Sequence, residues 1–232
     1  MTDFNDPGPP TGRGEPALNA PWPVPALILF LIGAHAARVV VGAPPDAFAL
    51  TATDLGAGRL RGLLTYQMVH GSWAHVLMNS AFTLAFGAPV ARFLGRGARG
   101  AMVFFGFFLV CGVVAAVAYG GLEELLAQLG GGPPPLWALV GASGAASGLM
   151  GAAARLIQGK GRLGPIGGRT VWAMTASWIV VNVVLGATGL TPGAGGAPVA
   201  WQAHIFGYVC GLILIAPAGW LAGRASDHDN AL

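Results

Sequence analysis

The sequence predicts an all-α membrane protein, a bundle of six transmembrane helices, and three observations predict it. Hydrophobic residues make up 54% of the 232 and charged residues only 9%, against roughly 25% charged in soluble domains. Six apolar stretches are each long enough to cross a bilayer as a helix, which takes about 17 to 25 residues. The segments between them are short and rich in Gly and Pro, the residues that break helices. Lipid, rather than water, is the main solvent for such a chain.

Taken in order, the spans lie near residues 22–41, 73–94, 101–120, 137–157, 171–187 and 203–223. Breakers separate them at Gly42 to Pro45, Gly130 to Pro135, Gly159 to Gly168 and Gly186 to Pro198. These connectors cannot face hydrocarbon, where their backbone groups would go unpaired, so they belong at the membrane surfaces or inside the bundle. There is no tandem repeat, and residues 21–225 form one membrane domain. Residues 1–20 carry Asp3, Asp6, Glu15 and several prolines without an apolar core, which fits a short disordered tail and neither a signal peptide nor a transit peptide. Residues 226–232 form a second short tail.

The basic residues orient the bundle. Arg13, Arg92, Arg96, Arg99, Arg155, Lys160, Arg162, Arg169 and Arg224 fall on one side, and Arg38, Arg59 and Arg61 on the other. This nine-to-three split makes both termini cytoplasmic. The net charge is only +3 and the basic residues are scattered, so nucleic acid is not an expected partner, whereas the lipid bilayer is. Cys111 and Cys210 lie within apolar runs and read as small core residues, not as a disulfide or a zinc cluster. One lysine against eleven arginines, with 38 glycines, suggests a GC-rich bacterial genome. The expected location is therefore a bacterial inner membrane, crossed several times.

Polar side chains within membrane spans are costly, so each one points to function or to an interior partner. The set is His35, His70, His75, Asn79, Ser143, Ser147, Asn182 and His204. His75 and Asn79 open span two, Ser143 lies early in span four, and His204 starts span six. Those three spans run in the same direction, so the four residues share one depth, toward the outer leaflet. His75 and Asn79, four apart, also share a helix face, while His70 belongs to the loop or the helix start. His204, Gly207 and Gly211 form a stripe on span six, and a glycine stripe lets a neighbouring helix approach closely. Ser143, Ser147 and Gly151, with Gly144 and Gly148 beside them, offer the matching surface on span four. Packing of these faces would bring Ser143 and His204 within reach. Ser147 is better explained by a bond to its own helix. Asn182 and His35 are assigned ordinary interhelical hydrogen bonds or interfacial positions, with no catalytic role.

The chemistry these residues allow is acyl transfer. A serine hydroxyl becomes a useful nucleophile when a positioned imidazole removes its proton, and Ser143 with His204 supplies that pair. The Asn79 amide, the His75 ring and the Ser143 backbone N–H are available to stabilise an oxyanion. The amino-terminal end of span four is also partially positive there. No Asp or Glu lies within the spans, so a dyad rather than a triad is expected. Gly141-Ala142-Ser143-Gly144-Ala145 lacks the second glycine of the soluble hydrolase elbow. A metal site of His70, His75 and His204 is the other chemical reading, but the five-residue spacing and the missing carboxylate disfavour it. No cofactor is expected.

Three motifs together resemble the rhomboid family of intramembrane serine proteases. They are His70-x-x-x-x-His75-x-x-x-Asn79, Gly141-x-Ser143-Gly144, and Ala203-His204-x-x-Gly207-x-x-x-Gly211, in that order on spans two, four and six. The resemblance covers about residues 22–224. It implies a six-helix bundle that cleaves transmembrane segments of membrane-protein substrates from a water-filled cavity below the outer surface. Ser143 and His204 would be catalytic, His75 and Asn79 would serve the oxyanion, and His70, Gly141, Gly144, Gly207 and Gly211 would support them. Span five and its loop would form a lateral gate and cap. Two positions depart from the family pattern: Ser147 stands where an aromatic residue often stacks on the base, and Arg61-Gly62 where a Trp-Arg pair is common. A catalytically silent rhomboid-like binder of transmembrane helices is the main alternative. A small transporter would instead place its polar groups near the midplane in paired repeats.

Overall fold

The computed structural model describes residues 19–133, 136–189 and 199–224. Both expected tails, apart from Asn19 and Ala20, lie outside the described residues, as does most of the connector after span five. The chain forms α1 (Pro23–Val40), strand β1 (Leu50–Thr51), short helices α2 (Ala52–Gly56) and α3 (Gly62–Thr65), then α4 (Trp73–Leu94) and α5 (Ala98–Gly130). Strand β2 (Ala138–Leu139) precedes α6 (Ser143–Gln158), α7 (Arg169–Thr188) and α8 (Trp201–Leu221). Local chemistry sets several of these boundaries. Proline at the first turn begins α1. The Ser72 hydroxyl accepts from His75 N–H at 3.2 Å and caps α4. Gly131 and Gly189, both left-handed, end α5 and α7.

Five helices, α1, α4, α5, α7 and α8, are long and apolar enough to cross a membrane. The fourth expected span differs. Its helix starts at Ser143, not near residue 137, and has 16 residues. Gly141 at φ 109° turns the backbone into a region that a helix cannot traverse, and Ala138–Leu139 pair with Thr51 and Leu50 as an antiparallel ladder. A helix this short is accommodated because α6 is buried on nearly every side by protein, as an all-round small and apolar helix should be. The third span differs in the other direction. The helix continues through Gly120 and Gly121, and the good helix formers Glu123 to Leu129 carry α5 on to Gly130, so the expected connector is largely helical.

The long helices alternate in direction. At one end Trp22 Nε1 donates to Arg96 O at 3.0 Å, and Arg99 Nε donates to Leu221 O at 2.6 Å, which gathers the start of α1 and α5 with the end of α8. At the other end Arg38 donates to His70 O, which gathers the end of α1 with the start of α4. The core runs between these ends through Leu31, Val76, Phe104, Phe108, Leu149 and Ile215. Cys111 and Cys210 are free and buried.

Candidate active site

The site begins with glycine. A Cβ on Gly207 would run into the carbonyl oxygen of Gly144, and one on Gly211 into that of Gly148. Gly151 meets the backbone of Tyr208 in the same way. The α6 and α8 backbones therefore touch along three turns, forming the most extensive helix pair in the molecule. The close seam runs through Gly144 and Gly148, the glycines beside the serine stripe, which leaves Ser143 at the rim of the seam. Ser147 bonds within its own helix, its hydroxyl donating to the Ser143 carbonyl at 2.7 Å.

At the open end of this seam, His204 Nε2 lies 2.8 Å from Ser143 Oγ. The other ring nitrogen, Nδ1, lies 2.7 Å from Oδ1 of Asn182 on α7. The Asn182 amide in turn donates from Nδ2 to the Trp178 carbonyl at 2.9 Å. Trp178 stands one turn earlier, its ring 6.2 Å from the imidazole and tilted by 35°. Asn182 thus makes an interhelical hydrogen bond, one of the two positions its sequence left open, but to the imidazole itself. A polar residue on an otherwise apolar span was the available signal; the identity of its partner was not.

The segment before Ser143 is held by contacts distant in sequence. Gly141 N–H donates to Tyr66 O at 2.8 Å, and Ala142 N–H donates to His70 Nε2 across a long 3.4 Å. His70 is fully buried. Burial first, then the neighbouring His75 and His35, pushes its pKa down to about 3, so the ring is neutral and able to accept. A Cβ on Gly141 would collide with the His75 ring and touch Asn79 Nδ2. These two side chains therefore line the turn that delivers Ser143, and α6 points its own first N–H groups there without helical acceptors. Asn79 is buried, and Nδ2 has no partner among the described residues.

His35 is buried 4.7 Å from the Trp73 ring and 6.2 Å from His70, and neither ring nitrogen has a hydrogen-bond partner among the described residues, so it is neither interfacial nor hydrogen-bonded to another helix there. Both nitrogens of His204 are committed to Ser143 and Asn182, and the three histidines do not converge on a common point. Gly62, in the segment between α1 and α4, sits so tightly under Leu50 that a Cβ would collide. Through the β1–β2 pairing, that segment is tied to the approach to Ser143.

Fold and site together define a multi-span helical membrane protein whose polar groups converge at one end of a glycine-packed helix pair. The model of the Rhomboid domain matches residues 57–220, more than half of the chain, which belongs to the rhomboid family. Members of that family are usually intramembrane serine proteases. No individual curated protein gives a significant match.

Proposed function

We propose that this chain is an intramembrane serine endopeptidase that cleaves transmembrane segments of membrane-protein substrates. The observation that carries the reading is the 2.8 Å approach of His204 Nε2 to Ser143 Oγ across a seam that admits no side chains. In the reaction, Ser143 Oγ attacks the substrate carbonyl carbon as its proton passes to Nε2. The tetrahedral oxyanion is met by the Ser143 N–H, the Asn79 amide and the His75 ring. Protonated Nε2 then gives its proton to the leaving amine, and the acyl-enzyme forms. Water, deprotonated by the same nitrogen, hydrolyses the ester and frees Ser143.

The charge asymmetry supports cytoplasmic termini and a site open toward the outer face. Single cysteines in residues 159–168 should then label from the cytoplasm, and outside labelling would reverse that sidedness.

The central test is labelling of purified protein with a fluorophosphonate probe, paired with cleavage of a helix-destabilised transmembrane substrate. Wild type should label and cleave. Ser143→Ala and His204→Ala should remain folded and do neither, since nucleophile and base act as a unit. Substantial turnover by Ser143→Ala would overturn the assignment. A wild type that binds transmembrane helices without labelling would favour the silent binder.

A further inference from the structure

We propose that Asn182 is a positioning residue for catalysis: it sets the tautomer and angle of the His204 ring, so that the base is oriented from α7. The inference rests on the protease reading above and extends it to a third residue and a third helix.

The argument starts from which atoms can donate. The Trp178 carbonyl accepts only, so the side of the Asn182 amide that faces it at 2.9 Å must be the Nδ2 donor. Oδ1 then faces His204 Nδ1 at 2.7 Å. Because Oδ1 accepts only, Nδ1 must carry the ring proton. The lone pair is thereby left on Nε2, 2.8 Å from the Ser143 hydroxyl, where a general base needs it. A flipped amide would place two donors together and favour the opposite tautomer, which cannot accept from Ser143. Asn182 is only 1% exposed, so water does not compete for its oxygen.

Two further observations place this support on α7. Position 147, on the helix that carries the nucleophile, is a serine bonded to its own backbone, so α6 offers the imidazole no ring. The aromatic neighbour of His204 is instead Trp178, on the same face of α7 as Asn182 and one turn before it. α7 is also the least enclosed of the long apolar helices, with 17% of its span buried against 39–44% for α4, α5 and α8. An amide on such a helix is costly unless it is used. The orientation of the base therefore depends on a helix that packs against the bundle over a small part of its surface.

The size of the effect follows from charge. Replacing the triad aspartate by asparagine costs about 10⁴ in kcat with the geometry intact, because the wrong tautomer is imposed. A neutral amide holds the tautomer and the angle but adds no charge to the imidazolium, and leucine removes it without imposing the opposite tautomer, so its loss should cost roughly 10- to 100-fold.

The test uses the full chain reconstituted in liposomes, with Asn182→Leu, Asn182→Ala and Asn182→Asp beside wild type and Ser143→Ala. For each, kcat, KM, the rate of fluorophosphonate labelling and Tm are measured. Asn182→Leu should lower kcat and labelling rate together by about 10- to 100-fold, with KM within about twofold. Asn182→Asp, kept neutral by its burial so that its O–H replaces Nδ2 against the Trp178 carbonyl while its other oxygen accepts from Nδ1, should recover most of that loss. If the leucine variant fails to fold, Asn182→Ala carries the same expectation. Wild-type kcat in the folded Leu or Ala variant would overturn the proposal. So would equal impairment of the Asp and Leu variants with matching falls in Tm, the mark of a packing role. A wild type that neither labels nor cleaves would instead defeat the Ser143–His204 reading itself, and this inference with it.

Discussion

Two of the helices packed around α8, α6 and α7, hold it by opposite means. Against α6 it presents Gly207 and Gly211, and the backbones touch with no side chain between them. Against α7 it presents side chains: Tyr208 meets Thr175, and His204 meets Asn182. The first contact has no slack, because backbone cannot adopt another rotamer. The second rests on individual hydrogen bonds and on the packing of Trp178 and Tyr208. Ser143 and His204 span the rigid contact, and the second nitrogen of His204 belongs to the adjustable one. The distance between nucleophile and base is thus set by glycine, while the orientation of the base is set by an amide.

Filling the rigid seam should break this arrangement most severely. Gly211→Val drives a side chain into the Gly148 carbonyl. Overpacking typically costs about 1–3 kcal/mol where neighbours can yield, and backbone yields least. At the upper end of that range, Tm should fall by roughly 6–12 °C, and cleavage should be lost. Wild-type Tm and turnover in this variant would mean that the glycine seam does not set the catalytic distance.

Asn79→Ala comes next and separates chemistry from packing at the rim of the seam. A donor to the oxyanion is worth about 2.7–4 kcal/mol, or roughly 10² to 10³ in kcat, with little change in KM. A residue that merely ties helices contributes only about 0.6 kcal/mol, felt in Tm and hardly in turnover. Measuring kcat, KM and Tm on this one variant decides between them. A lowered Tm with unchanged kcat would leave the oxyanion to His75 and the Ser143 N–H.

Thr175→Val should produce the smallest effect and sharpens the other side of the comparison. It removes the 2.9 Å contact with Tyr208, a tie between α7 and α8 that touches neither Ser143 nor His204. About 0.6 kcal/mol, or roughly 1–3 °C in Tm, is the expected cost. With α7 seating the base, kcat should drop as well, by at most about threefold at that energy. A lowered Tm with intact kcat would mean that α7 can loosen without disturbing His204.

Much of this molecule is legible in its sequence, for a local reason. Apolar runs of bilayer length identify the five long helices, and the periodicity of Ser143, Ser147 and Gly151, with Gly144 and Gly148 beside them, against His204, Gly207 and Gly211 identifies two faces made for close approach, although the seam itself runs through the flanking glycines. Each pattern is complete within one helix, so no knowledge of packing is needed to read it. Ser147 bonding to its own backbone is legible in the same way. The rest depends on segments far apart in the chain. α6 begins at Ser143 because Gly141 turns, β2 pairs with β1, and Tyr66 and His70 hold the two N–H groups before it. Apolarity alone runs on through that boundary and cannot mark it. Asn182 lies 22 positions from His204, on a helix whose other residues largely face outward. Its sequence identifies a costly amide in a membrane span but not the atom that satisfies it. Only the docking of α7 beside α8 decided that this atom is Nδ1 of the base, because a hydrogen bond between helices is set by their relative rotation, which neither helix encodes by itself.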